Sequence, residues 1–378
     1  MLLRETVREF ARREVLPYLD RWEREGRVPR ELHKKAADAG ILGVAFPEEY
    51  GGGGGDLLAS MLVTEELILG GASSGLCAAL FTHGIATPHI IAAGDRAQIE
   101  RWVIPALRGE LIGSLAVSEP DAGSDVARIH THAVRQGDTY RLNGAKTFIT
   151  SGTRADFVTV AARTGGDGYQ GISLLVVERG MPGFSVSKEL EKMGWWCSDT
   201  AELAFQDVEV PATNLVGEEG TGFYQLMRGF QTERLGLAVH AYAVAGRCLE
   251  LTVAYAAERQ TFGRPLTSRQ VIRHKLAEMA RRVDVSRTYA LRIAERHLAG
   301  EDVVKEVAMA KNQAIEACDY VVDQAVQIHG GAGYLRGEVE RHYRDARILG
   351  IGGGSSEIMN EIIAARMGLD PSRPRSQA

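Results

Sequence analysis

The sequence predicts an α+β chain of several domains, and three observations predict it. Helical periodicity dominates residues 1 to about 112 and returns from about 220 to 368, with short apolar runs bounded by Gly, Pro and Asp in between. No strand alternates with a helix, so a doubly wound parallel sheet is excluded. The last periodic segments run to about 30 residues, longer than ordinary globular helices, which suggests a bundle. We place an N-terminal α-helical domain at 1–112, a middle β domain at 113–217 and a C-terminal α-helical bundle at 218–378.

Composition narrows the function classes. The chain has 378 residues, 45% hydrophobic and 25% charged, an ordinary globular balance. A net charge of -5 leaves no basic footprint for nucleic acid. No apolar stretch reaches the roughly 20 residues of a membrane span. The opening MLLRETVREFARREV reads as a charged amphipathic helix rather than a signal peptide. Cys77, Cys197, Cys248 and Cys318 are far apart and form no C-x-x-C pair, so free thiols in a cytoplasmic protein are expected. The histidines lack ligand spacing on any helix and no metal site is expected; His130 and His132 read as polar residues on one face of a strand.

In chain order, helices are expected over 31–39, 57–69 (after the GGGGGD loop), 75–93 and 96–107, with Pro105 and Gly109 closing the zone. Strands follow in LIGSLAVS, DFVTVAAR, GISLLVVE, FSVSKEL and AELAFQDVEV. TYRLNGAKTFIT reads as two strands around Asn143-Gly144, a strong hairpin signal. Three long helices are expected over 222–258, 268–299 and 301–329, with Ser268 as the cap of the second.

Four segments could carry chemistry. LAVSEPDAGSDVA, 115–127, offers the Ser118 and Ser124 hydroxyls and open amides to a planar polar ligand or a phosphate, or is simply a turn. AKTFITSG, 145–152, offers Phe148 and Ile149 as an apolar wall beside the Thr150 hydroxyl, or is simply a strand. ERQTFGRPL, 258–266, offers Arg259 to a phosphate and Phe262 for stacking, or is a helix end with its dipole satisfied. The run from Gln327 to Met359 sets two glycine clusters on either side of a charged helix. There is no G-x-G-x-x-G after a strand, so a Rossmann nucleotide site is not expected.

Together and in this order, these segments resemble the acyl-CoA dehydrogenase family, over nearly the whole chain. The resemblance implies an N-terminal helical domain, a central β-barrel-like domain and a C-terminal four-helix bundle. It implies FAD as cofactor and a homo-oligomer, a dimer of dimers. By motif match, the main chain of Ala116 and Val117 and the Ser118 hydroxyl would contact the flavin ring. Ser124 would lie near the pyrophosphate and the thioester ligand, Phe148 and Ile149 would flank the ring, and Thr150 would sit near N5. Arg259, Thr261, Phe262, Gln270, Gln327, Gly330 and Gly331 would serve the cofactor of a neighbouring subunit. Ser355 and Glu357 would open a helix near the cofactor.

The implied reaction is α,β-dehydrogenation of a fatty acyl-CoA to the trans-2-enoyl-CoA, a carboxylate removing the α-proton and flavin N5 taking the β-hydride. Many family members place that carboxylate in the second glycine cluster, where this chain has Gly353. Another branch, that of long-chain and isovaleryl-CoA dehydrogenases, places it on a bundle helix beside an Arg. Here Glu233 and Arg234 match that arrangement, and Glu233 is the expected base. Gly353 would supply an amide to the thioester oxygen, Gly352 would widen the acyl site and Gly354 would complete the loop. Gln231 and Ser198 would meet the CoA moiety. A long or branched acyl group is expected, with an electron-transferring flavoprotein as acceptor. Two alternatives stay open: an oxygen-using oxidase on the same scaffold, and a non-catalytic FAD-binding homologue. Trp195 and Trp196 either line the entrance or belong to the core.

Overall fold

The computed structural model describes residues 2–369, which form two compact units. Unit 1 gathers residues from 1–16, 56–74 and 231–378, and unit 2 gathers 17–55 and 75–230.

Unit 1 is helical. Its helices are α1 (Leu2–Phe10), α2 (Leu57–Leu69), α3 (Gly222–Glu258), α4 (Gln270–Leu298), α5 (Val304–His329), α6 (Glu338–Ala346) and α7 (Ser356–Arg366). The first nine residues of α3, 222–230, belong to unit 2. A short connection makes α4 and α5 packing neighbours. Across that contact Ser286 Oγ donates to Gln313 O at 3.4 Å, and the Arg282 guanidinium lies over the Tyr320 ring. Asp56 caps α2, its carboxylate accepting the Ala59 amide at 3.0 Å, and Ser355 caps α7. Two buried carboxylates hold the helices in register. Glu65 on α2 accepts from Tyr242 on α3 at 2.9 Å and from Arg287 on α4 at 2.9 Å. Glu66 accepts from Arg8 on α1.

Unit 2 is built on a seven-stranded sheet. Its strands are β1 (Gly113–Ala116), β2 (His132–Gln136), β3 (Thr139–Thr150), β4 (Phe157–Arg163), β5 (Ile172–Glu178), β6 (Phe184–Glu189) and β7 (Thr200–Pro211). The order is β1-β4-β2-β3-β7-β6, with β5 pairing β4. Strands β4 and β5 are apolar at nearly every position because both faces are covered. Val158, Val160, Leu175 and Val177 face a core with Tyr140, Leu142 and Leu203. Phe157, Ala161, Leu174 and Val176 face the other way, against Ile90, Ile99 and Trp102 of the short helices.

The structure departs from the sequence reading at four places. Asn143-Gly144 does not turn a hairpin; β3 runs unbroken through it, and the turn falls at Gly137-Asp138 between β2 and β3. The Asn143 side chain exchanges hydrogen bonds with Asp207 instead, and a Cβ on Gly144 would lie 2.4 Å from Thr131 Oγ1, so the glycine serves close packing. The helix expected over 75–93 is broken into Ser74–Leu80, His83–Ala86 and Pro88–Ala93. Pro88 has no amide to donate, and the Thr82 and Thr87 hydroxyls bond back to carbonyls of the preceding turn. Arg269, not Ser268, precedes α4, because Leu266–Ser268 forms a short 3₁₀ turn. Finally, α3 contains a stretch apolar enough to cross a bilayer, half of it buried inside the protein as expected of a core helix.

Candidate active site

The glycine loop between Gly350 and α7 organises the site in unit 1. Gly353 and Gly354 have φ of +63° and +93°, conformations that glycine adopts without penalty. The carbonyls of Gly352, Gly353 and Gly354 are all taken. Lys311 on α5 donates its Nζ to Gly352 O at 2.7 Å and to Gly354 O, while Arg234 Nε donates to Gly353 O at 3.3 Å. Ser355 then opens α7, and Glu357 lies exposed in its first turn. Hydrogen bonding at this helix start, led by its own main-chain amide and joined by the Ser355 hydroxyl, holds the Glu357 carboxyl below its usual range.

The half-buried Glu233 carboxylate faces the same loop. A Cβ built on Gly353 would lie 3.4 Å from Glu233 Oε1, so the carboxylate from α3 reaches the space a side chain at 353 would enter. That Cβ would also lie 2.4 Å from Leu237 Cδ1, one helical turn after Glu233. Burial raises the Glu233 carboxyl above its ordinary value, while the charges of Arg234 and Lys311 pull the other way. Burial lowers Lys311 to about 8, helped by Arg234 and opposed by Glu233. A Cβ at Gly352 would meet only Ile348 O, at an ordinary 3.6 Å. A carboxylate poised above its usual pKa, two cations and an open loop amide can together take a weakly acidic proton.

At the far end of α3 the picture differs. Gln260–Thr261 and Arg264–Pro265 form a two-stranded hairpin whose tip is Phe262-Gly263, both at positive φ. Phe262 is 97% exposed, a strained position for an aromatic residue. Tyr255 stacks on His329 at 4.2 Å and donates to its carbonyl, tying this end to Gln327, Gly330 and Gly331 at the end of α5. Arg259, Gln270, Gln327, Gly330 and Gly331 are exposed, and Thr261 is half-buried. Glu233 and Glu258 lie in one uninterrupted helix, about 38 Å apart at 1.5 Å per residue. The expected cofactor residues of unit 1 therefore form two groups: Ser355 and Glu357 near the glycine loop, and the rest at this distant end.

In unit 2 the two expected flavin segments come together. Thr147 N–H donates to Ser118 O at 3.0 Å, and Ser114 Oγ to Thr150 O at 2.6 Å. The fully buried Lys146 donates to Val117 O at 2.8 Å and to Glu119 Oε1 at 2.8 Å. Between Lys146 and Ile149 the pairing of β3 with β7 shifts by a bulge. There Phe148 adopts φ 60° and is 71% exposed, while Ile149 turns into the core and Thr150 is half-buried. Ser124 is exposed in the turn after Glu119. Ser198 is fully buried and its hydroxyl has no partner among the described residues. Trp195 and Trp196 are both half-buried. Gln231 is half-buried at the start of the unit 1 part of α3.

Sequence reasoning missed Lys311, Lys146 and Glu119. The signal for Lys311 was present: it falls on the apolar stripe Val307, Ala314, Cys318 of α5, where a lysine is out of place. Among the described residues no cluster suited to a metal ion appears.

Comparison with known proteins follows the same zones. The N-terminal, middle and C-terminal domain models of acyl-CoA dehydrogenases match residues 1–110, 114–208 and 220–368. A probable acyl-CoA dehydrogenase of Mycobacterium abscessus superposes with a TM-score of 0.96 at 64% identity, covering 97% of this chain and 98% of that one. The long-chain specific enzyme of Rattus norvegicus is 40% identical over 97% of this chain and 86% of its own. The short-chain specific enzyme of Bos taurus is 38% identical over 97% of this chain and 89% of its own.

Proposed function

The chain belongs to the acyl-CoA dehydrogenase family of FAD flavoproteins, oxidoreductases that dehydrogenate acyl-CoA, and from that premise we propose that Glu233 is its catalytic base. The observation that carries the reading is the Glu233 carboxylate in the space beside Gly353. The α-proton of the acyl thioester passes to Glu233, and the Gly353 amide donates to the thioester oxygen as charge develops there. The chemistry that FAD would supply when bound is acceptance of the hydride from the β-carbon, which would leave the trans-2-enoyl-CoA. Arg234 and Lys311 keep the ionised form of Glu233 populated in its buried setting.

The residues present fit such a cofactor. Phe148 and Phe262 are large aromatic side chains held at positive φ and exposed at 71% and 97%, an arrangement that a stacked ligand makes useful. On unit 2, Ala116, Val117, Ser118, Ser124, Phe148 and Thr150 would hold the flavin half. With Ile149 turned into the core, its main chain alone is offered. The hairpin at Arg259–Phe262, with Gln270, Gln327, Gly330 and Gly331, would serve the FAD of a second copy, since it lies about 38 Å along α3 from Glu233. Homo-oligomerisation follows from that division of labour, and a dimer of dimers is the assembly we favour. Gln231 and Ser198 remain the residues proposed for the CoA moiety. Room at Gly352 supports a long or branched acyl group. An electron-transferring flavoprotein is the proposed acceptor, and four buried free thiols suit a cytoplasmic setting.

The test is Glu233→Gln in the FAD-loaded enzyme. Flavin reduction by a panel of acyl-CoAs should fall by about 10²–10⁴-fold with FAD retained. A variant reducing FAD at the parent rate refutes the assignment. In the parent, the rate should rise with pH through an apparent pKa above 4.5, because only the ionised carboxylate accepts a proton and burial has raised its value. Reoxidation in air as fast as with the electron-transferring flavoprotein would identify an oxidase instead. No reduction by any acyl-CoA would identify a binding homologue.

A further inference from the structure

Lys311 is fully buried beside the glycine loop, and its ammonium donates two hydrogen bonds to main chain. Lysine is almost never fully buried unless paired, and burying an ammonium costs far more than burying a methionine of similar length. Here its solvation comes from the carbonyls of Gly352 and Gly354. Arg234 takes the carbonyl of Gly353, so three consecutive carbonyls are held by two cations. In a trans peptide the C=O and the following N–H point in opposite directions. Holding Gly352 O towards Lys311 therefore turns the Gly353 N–H away from it. Among the described residues this N–H meets no acceptor. A glycine-rich segment has many other conformations open to it, so its direction must be imposed from outside.

We infer that Lys311 is a positioning residue for proton abstraction: it holds the Gly352 and Gly354 carbonyls so that the Gly353 amide presents its N–H to the thioester oxygen. The inference rests on the proposed roles of Glu233 and Gly353. The ammonium also polarises the peptide it binds, which strengthens the N–H at the other end as a donor. The charge count favours this. When Glu233 takes the proton its own charge is lost, while Lys311 and Arg234 keep theirs close to the negative charge newly placed on the thioester oxygen. Lys311 touches neither substrate nor proton; it acts through the loop.

The experiment uses FAD-loaded parent, Lys311→Met, Lys311→Gln and Glu233→Gln. The probe is trans-2-octenoyl-CoA labelled with carbon-13 at the thioester carbon, read by isotope-edited infrared spectroscopy. A second readout is exchange of the α-protons of octanoyl-CoA in deuterated water under anaerobic conditions, with the flavin pre-reduced so that hydride transfer is blocked. The thioester carbonyl band, shifted to lower frequency in the parent, should return at least half-way to its free position in Lys311→Met. Lys311→Gln, which keeps an N–H donor, should fall between. Exchange should slow by about tenfold or more in Lys311→Met with KM for octanoyl-CoA within about threefold. An unchanged band and exchange rate in Lys311→Met would overturn the inference. Should Lys311→Met fail to retain FAD, a band in Lys311→Gln that stays at the parent position would overturn it equally. Glu233→Gln separates the two readings: it should abolish exchange and keep the band shift, and exchange at the parent rate there removes the base assignment without touching the carbonyl result.

Discussion

Gly353 is held to glycine on two separate grounds. Its φ of +63° disfavours any L side chain, and a Cβ would lie 2.4 Å from Leu237 Cδ1. Gly353→Ala should therefore lower stability by about 1–2 kcal/mol from the backbone alone, plus the steric term, measured by urea unfolding. Adding Leu237→Ala should recover the steric part and leave the backbone part. A side chain at 353 would share its space with Leu237 and the Glu233 carboxylate, both from α3. The proposed base Glu233 and Leu237, one helical turn apart, both reach the space that a side chain at 353 would enter. At this scale the sequence was informative. The Glu233-Arg234 pair and the triple glycine were both visible, and only their meeting in space required the fold.

Among the elements, β3 shows how local signals mislead. Asn-Gly is the strongest hairpin signal in a sequence, yet here the asparagine is engaged by Asp207 and the glycine admits Thr131, so a 12-residue strand runs straight through. The long helices α3, α4 and α5 were legible because their apolar period extends over many turns. Lys146 was not, because a lone lysine in a strand reads as a solvated face and nothing in the sequence says where its ammonium goes. The structure sends it to Glu119 and Val117 O, which ties the strand carrying Phe148 to the segment carrying Ser118. Glu119 also accepts the His130 and Thr131 amides, and despite the opposing effect of burial, Lys146 and these donors bring its carboxyl below the ordinary value. Because the folded pKa is depressed, the stabilisation is present above about 4.5 and is lost as pH falls through the folded value. Glu119→Gln should cost about 3 kcal/mol at pH 7, since one member of a buried pair loses its counter-charge. The difference from the parent should shrink below pH 4.5 in urea titrations at each pH.

For the whole molecule, the important dimension is the length of α3. Its Glu233 end carries the proposed base and its Glu258 end leads into the Phe262 hairpin, about 38 Å away. That separation is what supports the proposal that a cofactor site draws on two copies. Phe262→Ser should leave the Glu233 carboxylate and glycine loop as they are, yet weaken FAD retention, read as flavin released on dilution.

The rod-like continuity of α3 has a genetic consequence. On the proposed roles, a chain bearing Glu233→Gln would be defective only in the site it supplies with a base, and a chain bearing Phe262→Ser only in the site it clasps for its neighbour. Co-expressed, two such alleles, each impaired alone, would place both lesions in one site of a mixed pair and none in the other. Interallelic complementation to about half the parental activity per mixed pair is the expected phenotype, and its absence would mean that each chain holds its cofactor unaided.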